Sequence, residues 1–444
     1  MAHVAQLLHI NGSISKIRID QSNQLIMKRL GFHYFSDTQH FRQYDLQIWL
    51  PRLKSFGAQW LVLNAPTNRA IPEAFIKALI DSDIKPILHF HIHPNHIPDQ
   101  DDLQLLFNTY KRWGVQYAAL FDQPNTHNVW RSSDWAQIDL VERFLDIYIP
   151  LANHCLNACL TPIFPPLKPG GDYWDTAFIR RVLESLQRRG QHELLEQLIL
   201  GAYSDPGEKP IQWGAGGPER WPNARPYFTP QGVEDQRGFR IFDWYMAISQ
   251  AVLSSPLPLF LFNLGYSSTV DNYLHRNLTI ARLLAGDFIE GYEVIPPEVI
   301  GGAFKSLTDS SESDQEGWFG QNGKSNRQAE AFHQLAKKIS VRNQSKHADP
   351  SIIRHYLLLP TFEWGISDFH LDVIRPIIKR YQPTIGFSLD EAKNARRVTV
   401  VGGEEVFSET ILNQLRAAGI TVNRIDENGT NIASVIATLS QDPF

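Results

Sequence analysis

The stretch Tyr117-Ala-Ala-Leu-Phe-Asp-Gln-Pro-Asn125 is a short apolar run that ends in a polar turn. A second run of the same kind, Leu257-Pro-Leu-Phe-Leu-Phe-Asn-Leu-Gly265, ends in a turn at Asn263. Short apolar runs bounded by turn residues are typical of the buried strands of a parallel sheet. The two stretches therefore predict two strands, each followed by polar side chains.

Similar runs alternate with amphipathic helical segments through the first three quarters of the chain, which predicts a βα repeat. The strands that we predict are Leu30 to Phe35, Trp60 to Asn64, Pro86 to His91, Tyr117 to Phe121, Ala158 to Ile163, Leu198 to Tyr203, Leu259 to Asn263 and Val299 to Ser306. Eight strands are the number in a closed (β/α)8 barrel. The insertion from Asp205 to Arg237 follows the sixth strand, where barrel enzymes bind substrates, and we expect it to build part of a pocket.

The chain of 444 residues is longer than one hydrophobic core supports, so we expect two domains. The domains that we predict are an N-terminal segment at 1–26, the barrel at 27–340, a polar linker at 341–350 and a small doubly wound α/β domain at 351–444. The last domain has predicted strands at His355 to Leu359, Thr384 to Phe387, Val398 to Gly402 and Thr421 to Ile425.

Composition excludes several classes of partner. A formal net charge of -5 with no basic run argues against nucleic acid. No apolar run approaches the roughly 20 residues that span a bilayer. The first ten residues also lack the basic start of a signal peptide, so we expect a cytoplasmic protein.

Several segments carry a family resemblance. They are Gly31-Phe-His-Tyr-Phe35 at the first strand, Phe121-Asp-Gln-Pro-Asn125 after the fourth, Phe262-Asn-Leu-Gly265 after the seventh, and Gly302-Ala-Phe-Lys-Ser-Leu-Thr308 followed by Glu316-Gly-Trp-Phe-Gly320 at the eighth. Residues 27–340 resemble, through these segments, the clan A retaining glycoside hydrolase barrels. The resemblance implies a (β/α)8 barrel whose ligand is an oligosaccharide or glycoconjugate, with no cofactor.

The resemblance also implies where the catalytic groups would lie. Retaining glycosidases use one carboxyl group as the acid and a second, about 5 to 5.5 Å away, as the nucleophile. These positions fall on Gln123 and Asn263 in this chain, and neither amide ionises. The sequence therefore predicts a carbohydrate-binding pseudoenzyme with weak or no hydrolysis. If the alignment is shifted by one residue, Asp122 is the acid, although strand alternation points it away from Gln123.

The resemblance further places a substrate cleft at the carboxyl ends of the strands. The substrate-binding residues that we predict are His33, Asn64, His91, Asn125, Tyr203, Trp213, Tyr266 and Trp318.

Two other interpretations stay open. The run His89-Phe-His-Ile-His93 places three imidazoles on one side of a predicted strand, where they could hold zinc. That arrangement predicts a metal-dependent hydrolase using His89, His91 and His93. The third interpretation is a non-catalytic scaffold whose C-terminal domain binds a protein partner.

Overall fold

The computed structural model describes residues 29–425, except for 288, 306, 309–316, 321–322, 335–352, 361–373, 376, 379–380 and 382. The first eight strands are β1 (Leu30–His33), β2 (Trp60–Asn64), β3 (Lys85–Phe90), β4 (Tyr117–Leu120), β5 (Thr161–Leu167), β6 (Ile199–Tyr203), β7 (Leu259–Leu264) and β8 (Val299–Phe304). The helices among them are α1 (Gln43–Ser55), α2 (Glu73–Ile80), α3 (Gln100–Arg112), α4 (Ser132–Trp135), α5 (Leu140–Asn157), α6 (Asp175–Arg188), α7 (His192–Gln197), α8 (Gly217–Arg220), α9 (Ile241–Leu253) and α10 (Tyr273–Leu284).

These strands form a closed barrel in the order of the sequence. Each strand pairs in parallel with its neighbours, and β1 closes the ring by pairing with both β2 and β8. The closed parallel ring with helices between its strands confirms the predicted (β/α)8 barrel.

Side-chain alternation separates two cores. Along β2, Trp60 and Val62 belong to a cluster inside the barrel, while Leu61 and Leu63 belong to the larger cluster between the strands and the helices. The indole of Trp60 fills the lumen so closely that a Cβ atom at Gly301 would lie 2.6 Å from its Nε1 atom. The lumen is therefore a packed core below the carboxyl ends of the strands.

The fifth strand differs from the prediction of Ala158 to Ile163. Helix α5 continues to Asn157, and a turn with Cys159 in the left-handed region (φ 58°) precedes the strand. The strand β5 then continues to Leu167 through three prolines. The apolar residues before the strand belong to the end of the helix, because Leu160 donates its N–H to the carbonyl of Cys155.

The chain beyond the barrel forms a second sheet. Its strands are β9 (Ile353–Leu358), β10 (Thr384–Gly386), β11 (Ala395–Val401) and β12 (Thr421–Ile425), with α11 (Leu389–Ala392) and α12 (Glu409–Ala417) between them. All pairs are parallel, in the order β10-β9-β11-β12. Tyr356 and Leu358 lie in one buried cluster and Leu357 and Leu359 in another, so both faces of the sheet are covered. This confirms a small α/β fold.

The predicted N-terminal segment at 1–26 and the predicted linker at 341–350 lie outside the described residues. Within the described part of the chain, every helix is too short or too polar to cross a membrane.

Candidate functional site

A connected group of side chains lies at the carboxyl ends of the barrel strands, where barrel enzymes carry their active sites. We call it the mouth cluster, and its members are His33, His89, His91, Asp122, Gln123, Tyr203, Phe262 and Asn263.

The ring of Phe262 forms the apolar floor of the mouth cluster. Its centroid lies 5.7 Å from that of His33, 5.5 Å from that of His89 and 6.3 Å from that of Tyr203. The rings of His89 and His91 pack against each other with their centroids 4.1 Å apart. Side chains from β1, β3, β6 and β7 therefore meet around one buried phenyl ring.

The acid of the mouth cluster is Asp122. The Tyr203 hydroxyl donates a hydrogen bond of 2.5 Å to Asp122 Oδ1. The Gln123 side chain also hydrogen-bonds this hydroxyl, and this contact opposes the rise in the Tyr203 pKa that burial causes. Both Asp122 and Gln123 thus approach Tyr203, and the prediction that they point to opposite faces is wrong.

The backbone explains this result. The strand β4 ends at Leu120, and both Phe121 (φ 65°) and Gln123 (φ 44°) adopt the left-handed region. The Phe121 side chain turns outward onto the helix α5, where its ring lies 5.3 Å from that of Phe144. Side chains alternate between the two faces of a strand only where the backbone is extended. The left-handed residues interrupt this alternation, so the side chains of Asp122 and Gln123 both reach the mouth.

Charges in the mouth cluster depend on burial. Burial raises the pKa of Asp122 above its usual value, although the Tyr203 hydrogen bond and the nearby His91 oppose this shift. Burial and the Asp122 carboxylate raise the pKa of Tyr203 well above its usual value. His91 is exposed at the mouth, but the protein around its ring still removes part of its hydration and lowers its pKa, while Asp122 acts in the opposite direction. Asp122 is therefore held by a neutral hydroxyl donor.

The two deeper histidines are neutral. Burial and the nearby His91 lower the pKa of His33 to about 3, and the same two causes lower that of His89. His89 Nε2 lies 2.8 Å from the carbonyl oxygen of Phe121, which accepts only, so this nitrogen carries the proton. His33 Nε2 accepts the backbone N–H of Asn263 at 3.2 Å, so its proton lies on Nδ1.

Asn263 occupies a distorted part of β7. Its backbone is left-handed (φ 54°), and the pairing with β8 shifts between Leu261 and Leu264. The backbone of Asn263, through its bond to His33, joins β7 to β1. Such distortions are common beside functional sites, where they redirect a side chain.

The structure does not assemble the alternative metal site. No group of three or more His, Cys, Asp or Glu side chains suited to a metal ion occurs among the described residues. The strand β3 ends at Phe90, so the alternation on which the prediction depended stops before His93. His93 instead forms an isolated bridge with His96, and its Nδ1 accepts the N–H of Asn95 at 3.3 Å.

Other predicted site residues lie apart from the mouth cluster. Asn125 is fully buried, and its side chain bonds to the backbone of Lys168 and Tyr173. Trp318 packs in the outer core against Phe32 and Phe304.

Three further predicted residues make backbone or loop contacts. Asn64 ends β2 and donates to the carbonyl of Ser36. Tyr266 is buried, and its hydroxyl donates to the carbonyl of Lys209 at 2.6 Å. Trp213 lies in the insertion after β6 and donates to Asp235 at 3.1 Å.

Two features of this end of the barrel were not predicted from the sequence. Phe262 was not predicted, although alternation with Phe260 along β7 indicates an inward side chain. Lys305 follows β8 directly, and its Nζ atom lies 3.7 Å from a carboxylate oxygen of Asp205, two residues after the end of β6. This ion pair adds a cation to the rim.

No protein-family model matches the sequence, and no curated protein matches it. Solved structures similar to it include an endo-β-1,3-glucanase (GH128, subgroup II) from Pseudomonas viridiflava, with 12% identity over 69% of this chain and 96% of that chain and a TM-score of 0.43. Xylanase 10B from Thermotoga maritima shows 10% identity over 72% and 97% of the two chains, with a TM-score of 0.42. A GH39 β-xylosidase from Caulobacter crescentus shows 13% identity over 71% and 72%, with a TM-score of 0.43. Glycoside hydrolases are thus among the similar structures, and the barrel itself is established by the strand order of this chain.

Proposed function

We propose that the barrel binds a carbohydrate at the mouth cluster and does not cleave it by the two-carboxylate mechanism. The observation that carries the proposal is the pairing of Asp122 with Tyr203 beside the amide of Gln123. This arrangement offers hydrogen-bond acceptors and donors at the carboxyl ends of the strands, and it includes one carboxylate.

The chemistry of cleavage explains the second part of the proposal. A retaining glycosidase needs a proton donor and an anionic nucleophile about 5 to 5.5 Å apart. Neither Gln123 nor Asn263 supplies an ionisable oxygen. The loss of a general acid costs roughly 10²- to 10⁴-fold in rate, and the loss of the nucleophile removes the covalent route.

The same groups suit binding. A sugar hydroxyl both donates and accepts hydrogen bonds, and Asp122 accepts while the Gln123 amide does both. The carboxylate makes a charge-assisted bond to a sugar hydroxyl, which is stronger than a bond between neutral groups. Phe262 closes the lumen below these groups and is fully buried.

A glycan array probed with the purified chain tests the proposal. We expect selective binding that is weakened at least about tenfold by Asp122→Asn, because one charge-assisted hydrogen bond contributes roughly 1.5–3 kcal/mol. Tyr203→Phe should weaken it less, since it leaves the carboxylate in place. The matched control is Asp81→Asn. Asp81 is an exposed residue at the C-terminal end of α2, and this end of the helix points away from the mouth. Absence of glycan binding, or equal binding by Asp122→Asn, would reject the proposal.

The raised pKa of Asp122 supports a second candidate function. A carboxyl group that holds its proton above the usual range is suited to general acid catalysis. In this case the chain hydrolyses a glycoside with Asp122 as the acid. A screen with aryl glycosides separates the candidates, because turnover that disappears in Asp122→Asn would favour hydrolysis over binding alone.

A further inference from the structure

Two neighbouring aromatic side chains, Tyr227 and Phe228, are exposed on the insertion between β6 and α9. Tyr227 is 61% exposed and Phe228 is 63% exposed. The other strongly exposed large apolar side chains among the described residues of the barrel, Tyr44, Leu105 and Ile138, lie singly on separate segments. Single apolar side chains on a surface need no explanation, whereas neighbouring ones mark a candidate binding surface. We call Tyr227 and Phe228 the aromatic tip.

The backbone of the aromatic tip is fixed. The chain turns between Arg225 and Phe228, whose backbone N–H groups donate to each other's carbonyls at 2.9 and 3.0 Å. Tyr227 lies in this turn with a left-handed backbone (φ 64°), which is uncommon for a bulky residue. Because the turn already holds both residues in place, less conformational entropy is lost when a ligand contacts their rings.

The side chain of Tyr227 is anchored at its polar end. Its hydroxyl oxygen accepts the backbone N–H of Trp174, the residue before α6, at 2.8 Å. The Trp174 ring is buried, and its centroid lies 5.5 Å from that of Tyr227. Tyr227 is therefore held against the loop between β5 and α6, while most of its surface stays in solvent.

Hydrogen bonds connect the aromatic tip to the mouth cluster. Tyr173, the neighbour of Trp174, donates its N–H to the carbonyl of Asn125 at 3.0 Å. Asn125 lies two residues after Gln123, whose own N–H donates to the carbonyl of Pro166 in β5 at 3.1 Å. The loops that position Gln123 are thus the loops to which the aromatic tip is attached.

The insertion that carries the aromatic tip also begins and ends beside the mouth. Ser204, directly after Tyr203, is buried and donates its hydroxyl to the carbonyl of Phe239 at 2.6 Å. This bond brings the two ends of the insertion together at β6. The aromatic tip then contacts the loop after β5, so it lies on the carboxyl-end face of the barrel, on the side of β5 and β6.

The aromatic tip suits a sugar better than another protein. A pyranose ring has apolar C–H faces, which pack on the face of an aromatic side chain. Phe and Tyr supply this contact area at a low cost in conformational entropy. A stable protein–protein interface buries about 800 Å² on each partner, which is far more than two side chains supply.

We propose that the aromatic tip is a second contact for the glycan at the mouth cluster, and that sugar rings stack there against Tyr227 and Phe228. This inference rests on the proposed function and adds the ligand class, which is an oligosaccharide of several pyranose units. The mouth cluster forms hydrogen bonds with the hydroxyls of one part of the glycan, and the aromatic tip packs against units farther along it. Affinity should therefore increase with the length of the glycan.

An array of β-linked gluco-, xylo-, manno- and galacto-oligosaccharides, from disaccharides to hexasaccharides, tests the proposal with the full chain. We expect the hexasaccharide of at least one series to bind more tightly than its disaccharide. Phe228→Ala should weaken hexasaccharide binding about two- to tenfold, the range for one aromatic contact, and leave disaccharide binding unchanged. Phe228→Trp should keep the gain with length, because the larger ring also stacks.

The matched control is Leu105→Ala, which removes an apolar side chain of α3 that is 64% exposed. It should bind every length as the unchanged chain does, whereas Asp122→Asn should weaken all lengths by the same factor. If disaccharides bind through Asp122 but length adds nothing, or if the gain survives Phe228→Ala, only the role of the aromatic tip is overturned. Absence of binding to every array member overturns both proposals. Self-association of the chain that Phe228→Ala abolishes, measured by light scattering, would make the aromatic tip a protein contact and also overturn its role.

Discussion

The Asp122 carboxyl group is controlled by its immediate neighbours. Burial favours its protonated form, while the Tyr203 hydroxyl and His91 favour the carboxylate. Because Gln123 is neutral, it adds no charge to this balance. The pKa of Asp122 is therefore the quantity that responds most directly to changes in the mouth cluster.

Gln123→Glu would place a second carboxyl group beside Asp122. The higher of the two apparent pKa values of this pair should lie above the pKa of Asp122 in the unchanged chain. The new carboxylate would lie beside the hydroxyl that bonds Asp122, and two adjacent carboxylates do not ionise together readily. Titration of the carboxyl carbons by NMR measures this shift against the unchanged chain. An unchanged or lower pKa would show that Gln123 and Asp122 do not share the mouth.

The positions of Gln123 and Asn263 were predictable, but the direction of the Asp122 side chain was not. Apolar runs that end in turns located Gln123 and Asn263 from the sequence. The left-handed backbone at Phe121 and Gln123 then determined where Asp122 points. Non-glycine residues rarely adopt this conformation, so neither periodicity nor propensity predicts it.

At the scale of elements, the loop after β4 is joined to the loop after β5 through Asn125. Its amide donates to the carbonyls of Lys168 and Tyr173, both at 2.9 Å, and its oxygen accepts the N–H of Lys168 at 2.9 Å. A side chain predicted to bind substrate thus holds two loops together.

Asn125→Ala should lower the free energy of unfolding by roughly 1–3 kcal/mol, because it removes three partly buried hydrogen bonds to the backbone. Chemical denaturation measures the loss, and Asn128→Ala, at an exposed position in the same loop, is the control. Equal stability of the two variants would contradict a structural role for Asn125.

The first turn of α6 contains a second acid with a shifted pKa. Burial raises the pKa of Asp175 from 3.8 to about 6, although Gly170, Gln236 and Tyr245 donate hydrogen bonds to it. The folded state therefore binds this proton more tightly than the unfolded chain does.

The sign follows from that difference in proton binding. Asp175 makes the free energy of unfolding fall as the pH rises from about 4 through about 6. Asp175→Asn removes this contribution, so the variant should lose less stability over that interval than the unchanged chain. Denaturation at several pH values tests this, and parallel pH profiles of the two proteins would contradict the assignment.

At the scale of the whole molecule, barrel closure depends on small residues that make room for Trp60. A Cβ atom at Gly301 would lie 2.6 Å from Trp60 Nε1 and 2.9 Å from Phe260 Cε2. The strand count was predictable from sequence, but this packing was not, because it joins residues of β2, β7 and β8 that are far apart in the chain.

Gly301→Ala should destabilise the barrel by about 1–3 kcal/mol through overpacking. Adding Trp60→Phe should recover part of that loss, since the smaller ring vacates the space of Nε1. A double-mutant cycle by chemical denaturation measures the coupling. Additive effects of the two substitutions would show that Gly301 and Trp60 do not compete for the lumen.

The central claim, that the mouth binds a glycan and leaves it intact, is tested most directly by recovering a bound glycan after prolonged incubation. A glycan that binds on the array is titrated with the unchanged chain and, separately, with Asp122→Asn. After the incubation, chromatography measures how much of the glycan is intact. We expect saturable binding that depends on Asp122 and complete recovery of the intact glycan. Shorter products that form with the unchanged chain but not with Asp122→Asn would contradict the claim.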